Sequence, residues 1–115
     1  MKHSRIAIFE GVDRPLRLAR ETIPDLKPGE ILVRNEYTTL CRSDLTTFVG
    51  RRTEKTPTIL GHEIVGRIVA FGPEATRSDC RGDTLDAGDR VTWGIYAADP
   101  DSPLARRGIP QKGPD

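Results

Sequence analysis

The chain has 115 residues, 36% of them hydrophobic and 30% charged, and a formal net charge of +1. That length allows one globular domain with its own core and excludes two of equal size. Mixed acidic and basic residues argue against the clustered face of a nucleic-acid binder, and no apolar run reaches membrane-spanning length.

Nine prolines and eleven glycines cut the sequence into short segments, a pattern of β-rich domains rather than helical bundles. Arg5 to Phe9 reads as a short apolar strand, and Leu16 to Arg20 alternates with the period of a half-buried strand. Pro28-Gly29 is a turn. Glu30 to Leu40 then forms a longer strand with Ile31, Val33 and Tyr37 expected on one face. Ser43 to Val49 is the helical candidate, with Ser43 or Asp44 to cap it and Gly50 to end it. Ile64 to Phe71 is a buried strand in which Gly66 signals a bulge or a close backbone approach. Ser78 to Gly88 is a polar loop, Asp89 to Ile95 a last strand, and the proline-rich stretch from Ala97 onward has no periodicity. Many short strands and one short helix predict a mainly β, partly open barrel with an irregular C-terminal segment.

The start, MKHSRIAIFEG, has no apolar leader core, so the expected setting is the reducing cytoplasm with Cys41 and Cys80 as free thiols. A disulfide between them stays open at this level. His3 and Cys80 carry no functional signal.

Chemistry concentrates at two places. Gly61-His62-Glu63 sets an imidazole beside a carboxylate on a glycine-bounded turn, and Cys41-Arg42-Ser43-Asp44 adds a thiol and a second carboxylate. Cys and His are common zinc ligands, and catalytic zinc needs a few such donors and an open position. Taken singly, a cysteine is more often a small buried hydrophobe and a histidine a satisfied polar residue.

The surrounding pattern is more specific. GHEIVGRIVAFGPEA, Cys41-Arg42-Ser43-Asp44, Pro28-Gly29-Glu30-Ile31-Leu32-Val33 and Gly88-Asp89-Arg90-Val91 resemble, in order, motifs of the zinc-dependent alcohol dehydrogenases of the medium-chain dehydrogenase/reductase superfamily. The resemblance runs from about Ile6 to Val91 and implies a GroES-like catalytic domain over 1–96. It implies that Cys41 and His62 bind catalytic zinc and that Glu63 lies behind the metal, able to approach it. Asp44 would fix the His62 tautomer, Ser43 would relay the alcohol proton, and Arg42 would meet the cofactor pyrophosphate. The implied reaction is hydride transfer between an alcohol or aldehyde and NAD or NADP, with zinc as Lewis acid.

Three departures qualify this. No G-x-G-x-x-G or βαβ pattern is present, so a Rossmann-type cofactor domain and the third zinc ligand are expected from outside this chain. The chain alone is therefore expected to be inactive and to hold zinc weakly, and the parent to be a homo-oligomer. In 97–115 the frame of a structural-zinc lobe persists, but its four ligand positions read Asp99, Ser102, Ala105 and Gly113, so no structural zinc is expected. Thr46 stands where relatives with a proton relay often carry His. A weaker likeness, in GRRTEKTPTILGHEIVGR and the RRGIPQK tail, is to members associated with phosphonate catabolism. The competing readings are a zinc-free quinone or enone reductase domain and a stand-alone GroES-like assembly module.

Overall fold

The structure, a computed structural model, describes residues 2–94 and Arg107. The end of the last expected strand and the irregular segment from Ala97 lie outside the described residues, Arg107 excepted.

The chain begins with an antiparallel pair, β1 (His3–Ile8) and β2 (Arg17–Thr22), in register from His3 opposite Thr22 to Ile8 opposite Arg17. The alternation at Leu16 to Arg20 does make a strand, but its sense is reversed. Ala19 is the half-buried residue and Leu18 is 82% exposed. Among the described elements β1 and β2 contact only each other, so nothing there covers the Leu18 face.

A second sheet has the order β3-β4-β5, all antiparallel: β3 (Ile31–Thr38), β4 (Ile64–Phe71) and β5 (Arg90–Thr92). Over the described residues the fold is mainly β with one helix, and its two sheets stay apart and do not close into a barrel. One backbone clasp joins the halves. Phe9 N–H donates to Thr58 O at 2.7 Å and Thr58 N–H to Phe9 O at 3.1 Å.

The β3–β4 register shifts between Leu32 and Val33 and again between Asn35 and Tyr37. Gly66 lies opposite Asn35, at the second shift, and a Cβ there would meet Val33 Cγ1 at 2.5 Å and Arg34 O at 2.6 Å. Bulge and close approach thus occur together. The same bulge explains why Tyr37 does not share the face of Ile31 and Val33. An extra residue reverses the side-chain phase, leaving Ile31 and Val33 half-buried and Tyr37 69% exposed.

The helix α1 (Arg42–Phe48) starts earlier than its sequence suggests. Cys41, with extended backbone, occupies the N-cap, so Ser43 and Asp44 lie inside the first turn. Asp44 still serves the helix start by accepting the Cys41 N–H at 3.1 Å. Gly50 ends the helix at φ 87°, where its N–H reaches Thr47 O and the Arg51 N–H reaches Thr46 O.

Phe9 and Ile68 are the buried large apolar residues among those described, with the Phe48 ring centred 6.0 Å from the Phe9 ring. Across the second sheet, Arg67 and Arg90 both donate to Glu36, at 2.6 and 3.1 Å. The Arg67 hydrogen bond is the main reason the Glu36 carboxyl lies below its ordinary value.

Gly66→Ala is expected to destabilise the domain by about 1–3 kcal/mol, since the added methyl meets a strand backbone that cannot move aside. Denaturant unfolding checks this, and an unchanged midpoint would show that β3 and β4 separate freely at the bulge.

Candidate metal centre

The site is built where the β3–β4 ladder runs out. Thr38 opposite Ile64 is the last strand pair, and one further bond, Thr39 N–H to Glu63 O at 3.1 Å, carries the alignment past it. Beyond that bond one chain turns into α1 at Cys41. The other comes from the Gly61 turn, where φ is 113°. Cys41, His62 and Glu63 are thereby brought together, each offering a ligand atom, all within 4.8 Å of one another.

Asp44, buried at 7% exposure, ties the two halves. Its Oδ1 lies 3.4 Å from His62 Nδ1 while its Oδ2 accepts the Cys41 N–H. Glu63 is exposed, but its Oε2 accepts a hydrogen bond from the Thr39 hydroxyl. Ser43, in the first turn of α1, hydrogen-bonds Cys41 and lines a cavity of about 480 Å³ with Asp44, Thr47, Arg52, Thr58 and His62. A second cavity of about 310 Å³, lined by Leu16, Leu40, Leu45 and Phe48, meets the first at Asp44, Leu60 and Gly61.

These neighbours bias the protons. Hydrogen bonds from Ser43 are the largest influence holding the Cys41 thiol below its usual value, with His62 adding to them; burial and the Glu63 charge oppose. The His62 imidazole is raised, first by its hydrogen bond with Cys41 and then by the charges of Asp44, Cys41 and Glu63, against burial. The two shifts run in opposite directions, Cys41 toward the thiolate and His62 toward the imidazolium.

Five of the expected residues, Cys41, Ser43, Asp44, His62 and Glu63, are thus gathered at one point. Arg42 is not part of the cluster. Its side chain is exposed, and its carbonyl accepts from Thr46 Oγ1 at 2.6 Å, which occupies the Thr46 proton within the helix. Sequence reasoning missed Thr39 and the Arg52–Glu54 pair, at 3.0 Å, of which both residues line the polar cavity. Thr39 was readable in principle, since a ladder extended one step beyond Thr38 and Ile64 sets it opposite Glu63.

The donor set suits zinc. A thiolate, an imidazole and a carboxylate are its usual protein ligands, and the carboxylates of Asp44 and the hydroxyl of Thr39 are the kind of outer partners that orient such ligands.

The chain belongs to the alcohol dehydrogenase GroES-like domain family, which it matches over residues 27–109. It is similar to S-(hydroxymethyl)glutathione dehydrogenase of Haemophilus influenzae, 36% identical over 70 residues, covering 60% of this chain and 18% of that protein. It is also similar to zinc-type alcohol dehydrogenase B of Aspergillus flavus, 39% identical over 74 residues, covering 62% of this chain and 17% of the relative. A solved alcohol dehydrogenase from Thermotoga maritima superimposes with a TM-score of 0.81 at 27% identity, over 99% of this chain and 31% of its own. The chain thus spans about a fifth of its curated relatives' length. No helix among the described residues is long and apolar enough to cross a membrane.

In metal-free protein, alkylation of Cys41 is expected to reach its half-rate below the ordinary thiol range. Ser43→Ala should shift that midpoint upward, because the hydroxyl favours the thiolate. A pH series with iodoacetamide and peptide mapping of Cys41 checks both, and an unshifted midpoint in the variant would remove Ser43 from the account.

Proposed function

We propose that this chain is the catalytic domain of a zinc-dependent, NAD(P)-linked alcohol dehydrogenase, with zinc held by Cys41, His62 and Glu63 and by a further ligand from outside the chain. The observation that carries the reading is the convergence of those three side chains beside Asp44, in a member of the alcohol dehydrogenase GroES-like family. Zinc bound there supplies Lewis-acid polarisation of an alcohol or aldehyde oxygen.

The chain's own residues supply the rest. Asp44 Oδ1, 3.4 Å from His62 Nδ1, places a negative charge beside that nitrogen and so favours the tautomer and ring orientation a ligand needs. Ser43 faces the same cavity as His62 and relays a proton from the substrate hydroxyl. Thr46 spends its proton on Arg42 O, so water in the polar cavity continues the relay. Arg42, exposed at the start of α1, is free to meet a cofactor phosphate from a second domain. The apolar face of Leu16, Leu40, Leu45 and Phe48 is where a Rossmann-type domain would dock and shield the site. On this reading the parent is a homo-oligomer without a structural zinc, since Asp99, Ser102, Ala105 and Gly113 offer no thiolate.

A zinc-free reductase would have no use for a thiol and an imidazole gathered with a carboxylate. A stand-alone assembly module would need none of them.

The full-length protein is expected to oxidise an alcohol with NAD or NADP, to lose that activity on chelation and to regain it with zinc. Asp44→Asn should lower metal affinity or activity roughly 10–100-fold by freeing the His62 ring. The 115-residue chain alone should be inactive, and measurable turnover by it in pure form would sink the two-domain requirement. Metal affinity should fall as pH drops through the imidazole range, because His62 must lose its proton to bind and its neighbours strengthen its hold on that proton. Zinc titrations across pH check this sign.

A further inference from the structure

We propose that Thr39 is a positioning residue for the metal centre, a hydroxyl latch that holds the Glu63 carboxylate where it can serve as a ligand. The inference rests on the zinc reading above and extends it to a residue outside the recognised motifs.

Glu63 needs such a partner because its side chain is exposed and long, and holding it in one rotamer costs conformational entropy. The carboxylate would otherwise swing into water.

Thr39 counters this through two contacts from one residue. Its N–H donates to the Glu63 carbonyl at 3.1 Å, so the two backbones are aligned like a last rung of the β3–β4 ladder. Its hydroxyl donates to Glu63 Oε2. A threonine in extended chain has few χ1 choices, so its hydroxyl is already aimed by the backbone that aligns it. One carboxylate oxygen is thereby held by the hydroxyl while the group stays within reach of Cys41 and His62. The Gly61 turn makes the approach possible, since a Cβ there would press on the Thr38 methyl at 3.2 Å and φ is left-handed. Latch and turn are one construction. Gly61 lets the His62-Glu63 backbone come close to Thr38-Thr39, and Thr39 then fixes what arrives.

The prediction concerns metal coordination directly. Full-length protein is stripped of metal and titrated with zinc against a chromophoric chelator, then loaded with cobalt(II) and its visible bands recorded. Thr39→Val keeps the shape and removes the donor. It is expected to weaken zinc binding roughly 10–100-fold and to alter the intensity of the cobalt bands, while Thr39→Ser stays near wild type. Glu63→Ala should weaken binding too, and adding Thr39→Val to it should cost little more, because either change alone already removes the contact. Thr39 is exposed, so folding of the variants is expected, and Thr39→Ala serves as a second donor-less variant should the valine perturb the strand end. Wild-type affinity and an unchanged cobalt spectrum in the donor-less variant, or fully additive losses in the double variant, would overturn the latch. Failure of the wild-type protein to take up either metal would instead overturn the metal centre itself, a result distinct from a latch that does nothing.

Discussion

Every feature of the candidate site depends on the register of β3 against β4. The thiol and the imidazole are far apart in sequence, and no local rule brings them together. The ladder does so by ending at Thr38 and Ile64, with Thr39 and Glu63 one bond beyond. A slip of one residue would turn every side chain of a strand to the opposite face, and Cys41 and His62 would leave from mismatched heights. Two register shifts make the pairing tolerable, and Gly66 makes the second of them possible by allowing the Val33 side chain and the Arg34 backbone to come close. The glycine acts on the site from several residues away through the strand that carries it.

Charge completes what register begins. The cluster gathers the carboxylates of Asp44 and Glu63 and a thiol that favours ionisation, against a single imidazole. In the second sheet the opposite balance occurs, with one carboxylate, Glu36, bonded to both Arg67 and Arg90. The sheet cluster is satisfied by its own cations and serves to bind β3, β4 and β5 together. Among the described residues no cation is bonded to the strand-end cluster, and its charges strengthen the hold of His62 on a proton instead. On the proposed reading a divalent ion would relieve the same excess while displacing that proton, which would couple metal uptake to pH.

Most of this was legible in the chain where chemistry or turn geometry is local. Gly66 announced its bulge because a glycine inside an apolar strand has few other uses, and Gly50 announced the helix end. Cys41, Ser43, Asp44, His62 and Glu63 were legible as a set only through motif resemblance, since none is distinctive alone. What sequence could not supply was phase. The outward turn of Tyr37 follows from a bulge whose position depends on the partner strand, and the reversal of Leu18 and Ala19 depends on which side of β2 is covered. Helix capping was misplaced by up to three residues because the Asp44 carboxylate folds back to Cys41, serving helix and ligand loop at once. Thr39 was overlooked because its meaning lies wholly in a contact across the ladder.

The same lack of covering layers bears on chemistry. With Phe9 and Ile68 as the buried large apolar side chains among the described residues, and neither fully sealed, little of the hydrophobic driving force for folding comes from a closed interior. Leu40 at 78% exposure, with Leu45, Phe48 and Leu16, forms an apolar cavity that shares Asp44 and Gly61 with the polar one. On the proposed reading a second domain closes over that face. Burial of those leucines would stabilise the fold, and by excluding water it would also strengthen the interactions of Asp44 with His62 and with the Cys41 N–H. Stability and the preparation of the metal ligands then arise from one contact. An uncovered domain would be short of both, with the donors gathered but their orienting hydrogen bonds still open to competition from water.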